Sequence, residues 1–146
     1  MATYVSMRDA GGAHTNPLPL VHSINAAASA AEVKPLFEHY AADRPVVALE
    51  LPGFGSSDRP RIVCTPRWIR DRILRATQYL ADLGLRQPLH LMSVSVSHEI
   101  AARAASKRPV ALRRLAFVCP TGFESRRTAP YDDGRTKDEP SWQWSL

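Results

Sequence analysis

The chain has 146 residues, 45% of them apolar and 23% charged, which fits one soluble globular domain with a single hydrophobic core. No apolar run approaches the roughly 20 residues that span a membrane, so we expect no membrane partner. The net charge of +5 comes from scattered arginines without a recognition motif, and we therefore expect no nucleic-acid partner either.

Strand-like runs recur along the chain and are separated by turn residues. A weak one lies near Thr3–Met7, while Pro17–Val21 and Pro45–Leu51 are apolar runs typical of buried strands. Leu89–Met92 begins a fourth run, and Leu112–Val118 forms a fifth. Continuous apolar runs of this length are expected where a sheet is covered on both faces.

Segments with helical spacing alternate with these strands. The first runs from Ser29 to about Tyr40, and Ser29 and Glu32 have the spacing of a capping box. The second begins with Thr65 as its N-cap and Pro66 in its first turn. The apolar stripe predicted for this second helix consists of Ile69, Ile73, Ala76, Leu80 and Leu83.

The stretch from Pro88 to Lys107 changes from a strand pattern to a helix pattern around Ser95. A serine at the apex of a tight turn between a strand and a helix is the layout of a nucleophile elbow. Such a turn needs small residues two positions away on each side, usually glycines, and here Ser93 and Ser97 occupy those positions. The alternative is an ordinary buried strand that leads into an ordinary helix.

Alternation of strands and helices predicts an α/β protein with a mostly parallel sheet and helices on both faces. In such a sheet the ligand crevice lies beyond the carboxyl ends of the strands. The turn at residues 22–25, the glycine-rich loop at residues 53–60 and Ser95 each follow a predicted strand. We therefore expect them to gather at one edge of the sheet.

Cofactor and metal signatures are missing from the sequence. The two cysteines, Cys64 and Cys119, have neither the spacing of a metal site nor the number of a disulfide framework. A cytoplasmic location is therefore expected. No G-x-G-x-x-G follows the first strand, so a nucleotide-binding domain is disfavoured, and we expect no cofactor and no metal.

The order of these motifs resembles the N-terminal half of an α/β-hydrolase-fold protein of the serine-nucleophile branch. PLVHSIN resembles the family's oxyanion turn with Ser23 in place of glycine, and LELPGFGSSDRP its acidic loop with Glu50 at the acidic position. SVSVS resembles the elbow, and LAFVCPTGF the strand that precedes the cap. The resemblance covers Pro17–Phe123 and implies a sheet of α/β-hydrolase type, truncated before the strands that bear the acid and the base.

This resemblance implies specific roles at the strand ends. Ser95 would be the nucleophile that attacks a carbonyl carbon of a small-molecule substrate. The oxyanion would be held by the backbone N–H groups of Val96 and Ile24, with the Asn25 side chain as a supplement. Serine at the apex favours cleavage of an ester, a thioester, a lactone or a carbon–carbon bond.

The sequence lacks the residue that should activate Ser95. The family's order is serine, then acid, then histidine, but no histidine follows His98. His98 is three residues from Ser95 and too close in the chain to act as its base, whereas His22 is expected to be structural and His90 a satisfied sheet residue. The chain as written is therefore expected to be an inactive N-terminal part, with residues 1–123 as a partial core domain and residues 124–146 as the start of a cap or a disordered tail.

Two functions remain open from the sequence. The chain is either the N-terminal part of a serine hydrolase or a short, non-catalytic α/β protein that binds a ligand or partner. An unpaired sheet edge at the Leu112–Val118 strand would favour self-association, because exposed strand edges pair readily with other chains.

Overall fold

The computed structural model of the chain describes residues 5–8 and 15–121. These residues form a five-stranded sheet with the order β1-β3-β2-β4-β5, in which only β1 is antiparallel to its neighbour. The strands are β1 (Val5–Arg8), β2 (Leu18–Val21), β3 (Val46–Leu49), β4 (Leu89–Val94) and β5 (Leu112–Val118). The predicted fold class, a mostly parallel α/β sheet, is confirmed.

Helices cover both faces of this sheet. A 3-10 helix (Ala30–Val33) leads into α1 (Lys34–Tyr40), and two longer helices follow, α2 (Pro66–Asp82) and α3 (Ser97–Lys107). One buried apolar cluster joins α2 and α3 to the sheet, and a second lies on the α1 face. In β3, Val47 belongs to the first cluster and Ala48 to the second, as the alternation of side chains along a strand requires.

Local sequence signals set the N-terminus of the main helix, α2. The Thr65 side chain accepts a hydrogen bond from the Trp68 N–H at 3.2 Å, and Pro66 is the first helical residue, both as predicted. Ile69, Ile73 and Leu80 are almost fully buried, and each such side chain contributes roughly 1.5–3 kcal/mol. None of the helices within the described ranges is long and apolar enough to cross a membrane.

Three local predictions are wrong. Leu83 is 51% exposed, because α2 ends at Asp82 and Leu83 turns out of the apolar stripe. The capping box does not form: Ser29 caps the 3-10 helix by accepting from the Ala31 N–H, but the Glu32 carboxylate binds elsewhere. The first helical turn is also 3-10 rather than α-helical. The predicted cap or tail at residues 124–146 lies outside the described residues.

The chain path reverses direction between β2 and β4. From β2 the chain crosses to β3 on one side, and β4 then lies on the other side of β2, where Val21 pairs with Ser93. In open parallel sheets such a reversal leaves a crevice at the carboxyl ends of the two strands, where ligands bind. The turn at residues 22–25 and the turn around Ser95 leave β2 and β4 at this crevice.

Candidate active site at the carboxyl ends of β2 and β4

Ser95 has the backbone geometry predicted for the apex of a nucleophile elbow. It lies one residue after β4 and has a left-handed φ of 53°. This conformation costs a non-glycine residue roughly 1–2 kcal/mol. The turn is held by a hydrogen bond from the Ser95 N–H to the Val118 carbonyl oxygen at 2.9 Å, which ties it to the end of β5.

The two serines that replace the usual glycines fit into buried space. Ser93 is 1% exposed and Ser97 is fully buried, so neither position has room for a large side chain. The Ser97 hydroxyl donates to the Val94 carbonyl oxygen at 2.7 Å, whereas the Ser93 hydroxyl has no hydrogen-bond partner in the described part of the chain. The degenerate motif is therefore sterically compatible with the sharp turn, at the cost of one buried hydroxyl without a partner.

Two backbone donors lie beside this turn. Val21 of β2 pairs with Ser93 of β4. Ile24 lies three residues after Val21, and Val96 lies three residues after Ser93. Among residues 5–8 and 15–121, no hydrogen bond uses the Ile24 or the Val96 N–H group. Val96 is also the N-cap of α3, where the helix dipole favours negative charge. Two unpaired N–H groups at adjacent strand ends are the arrangement expected of an oxyanion hole.

His22 fixes the turn that carries Ile24. Its Nδ1–H donates to the Ser23 carbonyl oxygen at 2.6 Å, and its Nε2 accepts from the Leu51 N–H at 3.0 Å, so the ring is neutral. Burial lowers the pKa of His22, although its hydrogen bond to Ser23 and the nearby Glu32 and Glu50 carboxylates act in the opposite direction. The structural role predicted for His22 matches these contacts, since both ring nitrogens serve backbone groups.

Glu32 and Asn25 also hold this turn. The Glu32 carboxylate accepts from the Ser23 N–H at 2.7 Å, a link across nine residues that the sequence pattern did not indicate. The Asn25 amide donates to the Ser23 hydroxyl at 2.6 Å, and its Oδ1 accepts from the Ala27 N–H at 2.9 Å. Asn25 thus acts within the turn, and its predicted contribution to an oxyanion hole stays a prediction.

Glu50 organises the glycine-rich loop that follows β3. Its side chain is buried, and its two carboxylate oxygens accept from the Ala30 N–H at 3.0 Å and the Ser56 N–H at 2.6 Å. The Ser57 hydroxyl donates to the Glu50 carbonyl oxygen at 2.6 Å. Gly55 has a φ of 50° and passes so close to this carboxylate that a Cβ would overlap it. The acidic position of the motif therefore joins the loop to the start of the 3-10 helix.

The histidine nearest to Ser95 in the chain, His98, binds the backbone of the turn. The Nδ1–H of His98 donates to the backbone carbonyl oxygen of Ser95 at 2.6 Å, and the ring packs edge-on against Phe117. His39 is exposed on α1, and His14 lies outside the described residues. The described residues also contain no group of three or more side chains that could hold a metal ion.

Cys64 and Cys119 are both free. Cys64 is buried, and burial raises the pKa of its thiol. Cys119 is exposed directly after β5.

Comparison with known proteins finds solved structures of similar fold but no matching family model and no matching curated protein. A probable hydrolytic enzyme from Pseudomonas aeruginosa PAO1 matches 84% of this chain with a TM-score of 0.70 and 20% identity, over 38% of its own length. The thioesterase domain from the curacin biosynthetic pathway matches 84% with a TM-score of 0.69 and 23% identity, over 44% of its length. A thermophilic esterase from Thermogutta terrifontis matches 88% with a TM-score of 0.67 and 22% identity, over 43% of its length. The chain thus spans less than half the length of these structures.

Proposed function

We propose that this chain, which has the α/β-hydrolase fold, is the nucleophile-bearing part of a serine hydrolase. Ser95 is the nucleophile, and the Ile24 and Val96 N–H groups form the oxyanion hole. The substrate is an ester or a related acyl compound, with a carbon–carbon bond next to a carbonyl as the other option. The general base and its acid partner come from outside these 146 residues.

The observation that carries this proposal is the left-handed backbone of Ser95 at the end of β4, next to two unpaired N–H groups. Strained backbone at a polar residue persists only where the surrounding structure enforces it, and it is concentrated at functional sites. Here the enforcing contacts are the hydrogen bond to Val118 and the buried serines at positions 93 and 97. A serine in an ordinary strand-to-helix connection would not need this conformation.

The proposed chemistry follows from the properties of each group. The Ser95 Oγ attacks the carbonyl carbon while the base takes its proton, and the carbonyl oxygen becomes an oxyanion between Ile24 and Val96. Collapse of the tetrahedral intermediate expels the leaving group, which takes the proton back from the base. Water then hydrolyses the acyl-enzyme by the same two steps. Without the base, a serine hydroxyl is only weakly nucleophilic, so residues 1–146 alone are expected to turn over substrate very slowly.

The test uses the coding sequence and the native protein together. The coding sequence past the codon for Leu146 should continue in frame and supply a later aspartate or glutamate and a later histidine. In the protein made from that longer frame, Ser95→Ala should lower kcat for a nitrophenyl ester at least about a thousandfold. Ser106→Ala, an exposed serine on the same helix α3, is the matched control and should leave turnover unchanged. Equal activity of the two variants would refute the role of Ser95.

A non-catalytic binding protein is the second candidate, because the sequence has no histidine after His98. In that case the crevice binds a ligand, and the edge of β5 is available for self-association. Within the described residues β5 pairs with β4 on one side only. A native protein that ends at Leu146, and that sediments as a dimer or larger, would favour this candidate over the hydrolase.

A further inference from the structure

Arginines surround His90 at the end of the sheet opposite to Ser95. His90 is the second residue of β4 and pairs with Arg114 of β5, whereas the preceding pair is Leu89 with Leu112. Arg113 is therefore an extra residue in β5, a β-bulge that sets two arginines opposite one histidine. Bulges of this kind redirect side chains and are often found next to functional sites.

Arg44 reaches His90 from the other side. It lies two residues before β3, and its Nη1 donates to the Nδ1 of His90 at 3.4 Å, while its guanidinium lies 5.9 Å from the centre of the Tyr40 ring. Because an arginine can only donate, Nδ1 of the neutral ring is the acceptor and the proton is on Nε2. Both this Nε2 and the Arg44 Nε are buried and have no hydrogen-bond partner in the described part of the chain.

Among the described residues, no acidic side chain forms an ion pair with this cluster. The ion pairs found among the described residues involve none of the three arginines, and Asp43, next to Arg44 in the chain, makes none with it. Burial lowers the pKa of His90, and the charges of Arg114, Arg44 and Arg113 lower it further. Three guanidinium groups around a neutral histidine with an unpaired donor form an environment that favours an anion.

We propose that Arg44, His90, Arg113 and Arg114 form a binding site for a phosphate monoester of a small molecule. The phosphate dianion matches the excess positive charge, and its oxygens can accept from several guanidinium N–H groups at once. All three arginines act on the same histidine rather than following a stripe of basic residues, which fits a single phosphate better than a nucleic-acid backbone. Arg113 and Arg114 are exposed, so their guanidinium groups are accessible to an anion from solvent.

This site is independent of the proposed hydrolase site. His90 and Ser95 are five residues apart at opposite ends of β4, which corresponds to about 17 Å along an extended strand. A phosphate at His90 therefore does not touch the Ser95 hydroxyl, and either proposal can fail without the other.

The test is a titration of the 146-residue chain with inorganic phosphate, followed by the NMR signals of the histidine rings at constant ionic strength in sodium chloride. The result expected is a saturable shift of the His90 ring signals, with His22 and His98 unchanged. Arg44→Gln should weaken phosphate binding roughly tenfold, as the loss of one charge-assisted hydrogen bond predicts. Arg113→Gln, at an exposed position, gives the same readout if the Arg44 variant does not fold.

The control variant is Arg75→Gln, which removes an exposed arginine from α2 and should bind phosphate like the parent chain. Phenyl phosphate should bind at least as tightly as inorganic phosphate, and dimethyl phosphate, a diester, much more weakly. A non-saturable shift, or equal weakening by Arg75→Gln and Arg113→Gln, would mean general charge screening and overturn the proposal. Equal binding of the diester would overturn the monoester assignment in favour of a nucleic-acid backbone.

Discussion

Gly55→Ala should destabilise the chain far more than an ordinary glycine substitution. Gly55 has a φ of 50°, which costs a residue with a Cβ roughly 1–2 kcal/mol. The new Cβ would also overlap the Glu50 carboxylate and displace it from the N–H groups of Ala30 and Ser56. Each hydrogen bond to a charged group contributes about 1.5–3 kcal/mol, so loss of one together with the backbone strain gives a total of roughly 2.5–5 kcal/mol.

Gly84→Ala separates the two contributions. Gly84 has a φ of 85°, but nothing lies within 4 Å of the position that its Cβ would take. This variant should therefore lose only the roughly 1–2 kcal/mol of backbone strain. Urea unfolding of both variants and the parent chain, followed by far-UV circular dichroism, gives the two free energies from midpoints at a shared slope. If Gly55→Ala and Gly84→Ala differ by less than about 0.5 kcal/mol, the Glu50 carboxylate does not hold the loop as described.

Three further predictions concern the elbow, the buried histidines and a helix cap. Ser95→Gly should raise the free energy of unfolding by up to about 1 kcal/mol because glycine adopts a left-handed φ without strain, and a loss of stability in urea would argue against a strained apex. Burial lowers the pKa of His22 and His90, so stability should be intact above the ordinary histidine pKa of about 6.5 and should fall as the pH drops below it. His22→Gln should flatten that slope in a pH series of urea melts, and an unchanged slope would remove His22 as a contributor. Thr65→Ala should cost about 1 kcal/mol because the Trp68 N–H loses its acceptor, whereas Thr65→Ser should cost much less, and equal losses would exclude the cap.

The fold could be predicted from the sequence because its signals are local and repeated. The apolar runs Leu89–Met92 and Leu112–Val118 form strands, because the sheet is buried between helices. The second of these strands, β5, has the predicted bounds. The N-terminal cap of α2 depends on adjacent residues, Thr65 and Pro66, so it was also predictable. Both kinds of signal lie within a few residues of the element that they specify.

The contacts that shape the candidate site could not be predicted in the same way. Glu32 has the spacing of a capping box, but its carboxylate binds the Ser23 N–H, because the fold brings the turn after β2 against the 3-10 helix. His90 was predicted to be a satisfied sheet residue, and this is wrong, since its buried Nε2 has no partner in the described part of the chain. The arginines around it come from β5 and from the segment before β3, which are distant in sequence. Such pairings depend on strand order and register rather than on local spacing.

Labelling of Ser95 tests the central claim most directly. The protein is isolated from its own cell, treated with a fluorophosphonate, and digested, and the modified peptide is identified by mass spectrometry. Only a serine with a working base and oxyanion hole reacts rapidly with such a reagent. The account predicts a phosphonate on Ser95 that does not form when the protein is heat-unfolded before treatment, in a protein whose intact mass exceeds that of residues 1–146. A native protein of 146 residues whose Ser95 stays unmodified, under conditions that label a known serine hydrolase, would contradict it.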